Sequence, residues 1–509
     1  MTIPNDCMGI VDGDAVLADD AANGFYAFDP ATTRALPERF VDADRHHIDR
    51  ACDLAAQARR PFADASGDLR GRLLRTIADR MRDARQSIVD RCQAETGYLL
   101  PRVEGEFARA VHQLDLFATL AETSRWDDVV TVPADPDRKP LPRPKMRRRL
   151  VPVGPVAVFG ACNFPLAISV AGNDLVAAYA AGSPVVVKSH PSHPGTCHLV
   201  GQAVADAVAA CGLPAGVFSL LHGHSKRVSE DLVRHRSIAA VGFTGSPGGG
   251  RAIAACALGR ERPIPVYAEL GSTNPVFLTD AAIAQHGESI AKGFVESLRF
   301  GNGHMCTKPG VVVLTRSAME IWRDLVVQPL AASEPLPMLS ESICRAFDQS
   351  RDRLIANEAV QTLFAAERPT EANRSWHRGP VWLSAPATNA IAGDLLHQET
   401  FGPLSIAVVC DETDQWLDLS TRFSGSLTTT LHHGEDDGSI IAAWRRNAED
   451  FAGRIIASGW PTGMEIGPAT QHGGPYPASL DGRSTSVGFS SIDRFVRPVC
   501  YQNEFPDDA

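Results

Sequence analysis

A chain of 509 residues is too long for one ordinary hydrophobic core, so two or three domains are expected. Its 44% hydrophobic and 21% charged content is that of a soluble globular protein, and it has no run of about 18 apolar residues that would suggest a membrane span. A net charge of −11 argues against non-specific nucleic-acid binding, and eleven cysteines, an odd number without CxxC spacing, fit a reducing compartment better than a disulfide framework.

The chain starts "MTIPNDCMGIVDGDAVLADD", an acidic stretch that supports neither a secretory nor a transit peptide, so a cytoplasmic location is expected. Residues 40–125 read as helical; "RLLRTIADRMRDARQSIVDRCQAETG" spaces its apolar residues three and four apart before a glycine stop. The segment "DRKPLPRPKMRRRL" (137–150) carries seven Lys/Arg, but its prolines and apolar flanks suit an extended arm better than a nucleic-acid tail. From 151 the pattern changes. "GPVAVFG", "SPVVVKSH", "GVFSLLHG", "SIAAVGFTG" and "IPVYAEL" are short apolar strands, and "PLAISVAGNDLVAAYAAG" (165–182) reads as a helix of small residues. Apolar strands without alternation, separated by helices, indicate a parallel sheet covered on both faces. "HPSHPGTCH" (190–198) superficially offers metal ligands, but its prolines and glycine make it a turn and no second ligand pair follows, so no metal is expected.

"FGNGHMCTKPG" (300–310) sets Cys306 on a glycine-rich turn between a helical segment and an apolar strand, where its sulfur can meet a ligand. A second set of strands follows in "GVVVLTR", "GPVWLSA", "LSIAVVC", "SLTTTLH" and "GRIIASG". The end, "DGRSTSVGFSSIDRFVRPVCYQNEF", reads as a short helix and then a strand without a local partner. These elements give two α/β domains plus an extended accessory element built from 126–150 and the C-terminus.

Four stretches, "FGACNFPLAISVAG", "GFTGSPGGG", "YAELGSTNP" and "GHMCTKPG", followed by "HQETFGP", together resemble the aldehyde dehydrogenase superfamily in order and spacing over nearly the whole chain. The closer likeness is to the 2,5-dioxovalerate (α-ketoglutaric semialdehyde) dehydrogenases and related NADP-linked fatty aldehyde dehydrogenases. It rests on "NFPLAISVAGNDLVAAYAAGSPVVVKSHPSHPGT", "HGGPYPASLDGRSTSVG" and "FVRPVCYQN". The resemblance implies a Rossmann-like cofactor domain over 1–125 and 148–275, a catalytic domain over 276–465, and a small β oligomerisation arm over 126–147 and 478–509. It also implies a homodimer or homotetramer in which the basic arm is an oligomerisation strand.

An aldehyde carbon gives up hydride only once an electron-rich oxygen pushes it, and a covalent nucleophile supplies that state as a tetrahedral alkoxide. Cys306 is the candidate, with a polar loop expected to lower its pKa. Glu269, ending a strand at a glycine turn, is expected to have its pKa raised by desolvation and to act as general base toward a thioester. By resemblance, Asn163 joins the Cys306 backbone N–H as an alkoxide donor. The backbone N–H groups of "GFTGSPGGG" at a helix start suit a pyrophosphate, although the spacing is not GxGxxG. Gly245, Ser246 and Gly250 stand where the family's residues do. The resemblance further gives Lys188 to the adenosine ribose, Glu399 to the nicotinamide ribose and Phe401 to the wall of the ring. NADP or NAD is the implied cofactor, with NADP favoured. Pro191 replaces a carboxylate that would repel a 2′-phosphate, and Lys226 with Arg227 offers cations. The expected substrate is a small semialdehyde, 2,5-dioxopentanoate, with longer-chain aldehydes as the alternative and a cysteine-dependent esterase without redox turnover as the alternative of another class. Phe164, Arg299, Arg109 and His472 are candidate substrate residues, and either His304 or His472 could assist proton movement.

Overall fold

The computed structural model describes residues 2–18, 24–371 and 374–503. Residues 504–509 of the expected C-terminal arm, and Met1 and 19–23 of the N-terminal segment, lie outside the described residues. A nine-stranded sheet has at its heart five parallel strands in the spatial order Val266–Glu269, Ala240–Thr244, Val156–Phe159, Val185–Lys188, Phe218–Leu221. The chain leaves Val156–Phe159 in one direction, then returns to pair Ala240–Thr244 on its other side. The strand order therefore reverses between these two, and the crevice outside their carboxyl ends is where such sheets bind ligands. Ala157 and Phe159 join one buried cluster and Val156 and Val158 another, so the strands are covered on both faces, as their unalternated apolar runs require.

A seven-stranded sheet follows, in the order Gln361–Ala365, Val381–Pro386, Leu404–Cys410, Val311–Thr315, Val276–Leu278, Ser426–His432, Ala452–Ala457. Alternate residues of its central strands again divide between two clusters: Val311 and Val313 lie on one face, Val312 and Leu314 on the other. The basic arm forms the strand Met146–Pro152, flanked antiparallel by Val130–Val132 and by the C-terminal strand Val496–Gln502, which thus finds its partner within the chain. Of the four helices between Arg45 and Thr123, the first and third meet strands of the first sheet, and the second and fourth pack on the helices that cover it.

Three expectations need correction. Four strands between Cys7 and Val41, where the sequence reading places part of the cofactor domain but predicts no strand and starts a helical region at 40, extend the first sheet; Cys7–Val11 pairs antiparallel with Phe218–Leu221, so the sheet is mixed. Gln361–Ala365 likewise makes the second sheet mixed. The helix expected over 165–182 is confined to Asn173–Ala181. Its upstream half forms turns: the Ile168 carbonyl, which a helix would give to the Gly172 N–H, accepts from the Ala161 N–H (2.9 Å), and the Gly172 N–H donates to Ser169 O (3.1 Å). The buried Glu106 carboxylate holds the Leu166 (2.9 Å) and Ala167 (3.1 Å) N–H groups. No helix among the described residues is long and apolar enough to cross a membrane.

Candidate active site

Cys306 follows the helix Asp280–Arg299 and a tight turn whose residues Gly301, Asn302 and Gly303 all have positive φ (56°, 53° and 71°). At Gly303 a Cβ would overlap the Gly402 carbonyl carbon, so only glycine lets the nucleophile turn approach the 402 loop. Asn274, buried in the turn after the strand that carries Glu269, fixes the far side of the loop. Its Nδ2 donates to Cys306 O (2.8 Å) and Lys308 O (3.0 Å). The sequence reading did not single out Asn274; its signal was the polar "STNP" following "ELG".

Around the sulfur, three groups come within 4.8 Å of one another: Cys306 Sγ, a His472 ring nitrogen and a Glu269 carboxylate oxygen. His472 Nε2 is 3.4 Å from Sγ with hydrogen-bond geometry, and 3.0 Å from Glu269 Oε1 without it. The ring edge therefore aims at the sulfur while the carboxylate lies to its side. Ser486 Oγ donates to Glu269 Oε2, a contact the sequence reading missed, although Ser486 lies within the "RSTSVG" stretch that helps carry the family resemblance. Both charge expectations are reversed. Burial first, then the negative charge of nearby Glu269, pushes Cys306 well above its ordinary range. Burial also acts to raise Glu269, but His472, Ser486 and the Cys306 thiol outweigh it and hold this carboxyl below its usual range. Asn163 Nδ2 donates to His304 O (2.7 Å), tying the amide to the nucleophile loop. His304 itself is turned away: its Nδ1 pairs with Gly301 O (2.9 Å), its ring lies against Phe401, and burial lowers its pKa to about 4. Of the two histidines, only His472 contacts the thiol.

Cys306 lies where two cavities meet. One, of about 710 Å³, opens at the strand reversal and is lined by Asn163, Gly245, Ser246, Glu269, Glu399 and Phe401. The helix Pro247–Leu258 points its first turn here, with Ser246 Oγ capping Gly249 N (3.2 Å), and a Cβ at Gly248 would meet nothing. Pro247 has no N–H and the Gly250 N–H is held by Ser246 O (2.9 Å), so the Gly248 N–H is the first-turn group left to meet an anionic pyrophosphate. Gly250 packs behind, where a Cβ would strike Leu270. Burial pushes Glu399 up to about 7 against the pull of buried Lys308. Lys188, lowered by burial to about 8, and Lys226, exposed at a helix start, are not among this cavity's walls. The second cavity, of about 640 Å³, is lined by Phe164, Arg102, Arg109, Arg299 and His472, with mostly apolar residues between them. Arg102, unremarked in the sequence reading, has its guanidinium 4.8 Å from the Phe164 ring centroid and 5.1 Å from that of Tyr98.

Cys7, His198 and His222 also bring ligand-type atoms within 4.8 Å of one another. The two imidazoles stack, with 29° between planes and centroids 5.8 Å apart, so their in-plane lone pairs run side by side rather than converging on one ion.

Residues 17–432 match the model of the aldehyde dehydrogenase family. The chain is 41% identical over 490 residues to α-ketoglutaric semialdehyde dehydrogenase 2 of Azospirillum brasilense, covering 96% of this chain and 93% of the relative. It is 37% identical to the α-ketoglutaric semialdehyde dehydrogenase of Acinetobacter baylyi, covering 91% and 88%. Its fold superimposes on 1-pyrroline-5-carboxylate dehydrogenase from Thermus with bound NAD at a TM-score of 0.84, with 21% identity and coverage of 99% and 93%. The chain belongs to the aldehyde dehydrogenase family.

Proposed function

We propose that this protein oxidises 2,5-dioxopentanoate (α-ketoglutaric semialdehyde) to its carboxylate with NAD(P)+, through a thiohemiacetal and a thioester on Cys306. The observation that carries the reading is the position of one sulfur at the junction of two cavities, beside His472 and Glu269. The relatives named for this substrate supply its identity.

Hydrogen-bond accounting suggests the resting proton positions. His472 Nδ1 is buried without a partner, so the ring proton belongs on Nε2, aimed at sulfur, and the thiol proton is directed to Glu269. As the aldehyde arrives, Glu269 takes the thiol proton and the Nε2–H stabilises the thiolate. The alkoxide then draws on the Asn163 amide, which has a second N–H besides the one held by His304 O, and on the Cys306 backbone N–H. A bound nicotinamide dinucleotide supplies the hydride acceptor; Gly245, Ser246, Glu399 and Phe401 would hold it, with Lys188 and Gly250 behind them. Once the adduct on sulfur is a thioester, Glu269, oriented by Ser486, accepts a proton from the attacking water. NADP is favoured over NAD: Pro191 offers no repelling carboxylate and Lys226 is solvent-accessible. Asp42, which accepts the backbone N–H of His224 (2.6 Å) at the same helix start, works in the other direction. The two large sheets serve as cofactor and catalytic domains of a cytoplasmic enzyme, and the three-stranded arm as the seam of a homodimer or homotetramer.

The test is steady-state turnover of aldehydes with and without a terminal carboxylate, each with NAD+ and with NADP+, in wild type and Cys306→Ala. Cys306→Ala is expected to bind dinucleotide and turn nothing over. Undiminished turnover in that variant refutes the mechanism, and a preference for uncharged aldehydes refutes the substrate.

A further inference from the structure

The apolar cavity beyond Cys306 contains three guanidinium groups, and they differ in what neutralises them. Arg102 is paired with Glu106 at 2.8 Å. Arg299, half-buried, also borders an outer hollow with Glu288 and Glu296, and donates to Glu334 O at 3.3 Å. Arg109 is mostly buried and donates a single hydrogen bond, Nη1 to Met464 O at 2.6 Å. Among the described residues no carboxylate lies within ion-pair distance of it. Glu106, nearest along the helix Leu100–Thr123, is already committed to Arg102 and to the Leu166 and Ala167 N–H groups. A second guanidinium without a carboxylate, Arg454, donates to Pro461 O (2.5 Å) and Gly463 O (3.1 Å) of the same loop that Arg109 holds. Two sequestered cations thus brace one loop, and both lie within electrostatic reach of Cys306. Glu106 and the exposed Glu465 attract Arg109 from beyond ion-pair distance, and a largely buried cation without a direct ion-pair partner still gains from an anion that joins it. The remaining N–H groups of Arg109, on a wall shared with Cys306 and His472, offer a planar fork for a carboxylate.

We infer that Arg109 anchors the far carboxylate of the substrate, making this cavity selective for short aldehydes that end in a carboxylate; the inference rests on the proposed dehydrogenase reading. Arg299 borders the mouth and is not the anchor.

The experiment compares Arg109→Leu, Arg109→Lys and Arg299→Leu with wild type on 2,5-dioxopentanoate and on pentanal, with 2-oxoglutarate as a dead-end competitor and thermal unfolding as the folding check. Arg109→Leu is expected to raise KM for the carboxylated aldehyde about 10- to 100-fold, the loss of one charged hydrogen-bonding partner. Its kcat should change little, pentanal kinetics should stay within about threefold, and competition by 2-oxoglutarate should disappear. Arg109→Lys should recover part of the KM, and Arg299→Leu should keep both the preference for the carboxylated aldehyde and the competition by 2-oxoglutarate. Equal losses on both aldehydes would mean that Arg109 only tethers the Met464 loop, and would overturn the inference. Retained carboxylate preference in Arg109→Leu would overturn it too. A wild type without carboxylate preference, yet inhibited by 2-oxoglutarate only while Arg109 is present, would remove the substrate assignment and keep the anion site. No preference and no competition would remove both.

Discussion

Glu269→Gln separates the two halves of the proposed reaction. The amide is nearly isosteric and can still bond to Ser486 and lie beside His472, so the fold around Cys306 should persist. What disappears is a negative charge and a proton acceptor. The charge is the second cause of the raised Cys306 pKa, so its removal lets the thiol ionise more readily, and alkylation of Cys306 by iodoacetamide near neutral pH should accelerate. The acceptor is the base for water, and general-base contributions are about 10²–10⁴-fold, or about 3–5 kcal/mol of barrier. Stopped-flow absorbance of reduced nicotinamide should therefore show a burst of about one equivalent per site followed by a steady rate about 10²–10⁴-fold below wild type. The acyl-enzyme should be visible by mass spectrometry as Cys306 modified by the substrate acyl group. A steady rate equal to wild type would refute the base assignment. Slower alkylation with no burst would show that Glu269 is indispensable for forming the thiolate and that the His472 N–H cannot stabilise it alone.

Other substitutions probe the remaining contacts. Asn163→Ala removes an alkoxide donor and should lower kcat by about 10²–10³-fold with dinucleotide affinity unchanged, measured by steady-state kinetics and fluorescence titration. Gly271→Ala would drive a Cβ into Glu399 Oε2, the mobile end of a side chain, so the protein should fold while dinucleotide affinity falls about 10- to 100-fold. Glu399 is raised to about 7 by burial, so its folded pKa exceeds the unfolded value of about 4.3 and the protonated form is favoured by the fold. The stability it contributes is fully present below the unfolded pKa and lost as pH rises through about 7. Denaturant melts across that window should slope downward in wild type and be flatter in Glu399→Gln. In the same window dinucleotide affinity should rise with pH in wild type, as the carboxylate becomes an acceptor, and stay level in the variant.

The parts of this molecule legible in its sequence are those dictated by neighbours along the chain. Runs such as "VVVK" and "VAVF" must be covered on both faces because they lack alternation, and they are the central strands. Cys306 and Glu269 were visible because each sits where a regular element meets glycine. Residues 7–41 were not legible as strands: the hairpin segment "DAVL" is exposed at three of its four positions and has no apolar face to show. The helix expected before Asn173 failed because the Ile168 carbonyl, which a helix would give to Gly172, is taken by the Ala161 N–H, a pairing that the periodicity of 165–182 does not show. The charge states failed for the same reason on a finer scale. A polar loop around a thiol suggests a low pKa, but the dominant groups are burial and a carboxylate brought in from the other sheet. Ser486 lies 217 positions from the carboxylate it orients, and no local pattern announces such a pair.

That inversion makes the arrangement of charge chemically coherent. An exposed low-pKa thiolate would stand ready for any electrophile or oxidant, whereas a thiol held high by burial and an adjacent carboxylate stays protonated until a substrate is present. In the proposed mechanism, transfer of its proton to Glu269 leaves the pair with the same single negative charge, moved from oxygen to sulfur, where an N–H on His472 Nε2 would meet it. Forming the carbon–sulfur bond removes the charge from sulfur. The protonated Glu269 then no longer faces an anion, and it must release its proton before it can accept another from water. In the proposed mechanism acylation and deacylation thus both begin with Glu269 as the carboxylate, and the proton released between them sets the order of steps without movement of the chain. The consequence is measurable. Under single-turnover conditions one proton should appear in the medium after the burst of reduced cofactor and before the release of acid, followed by a pH-indicator dye, and in Glu269→Gln, which has no carboxylate to hold it, that proton should appear no later than the burst itself. A wild-type proton that coincides with the burst, as in Glu269→Gln, would mean that Glu269 is not the group that deprotonates Cys306.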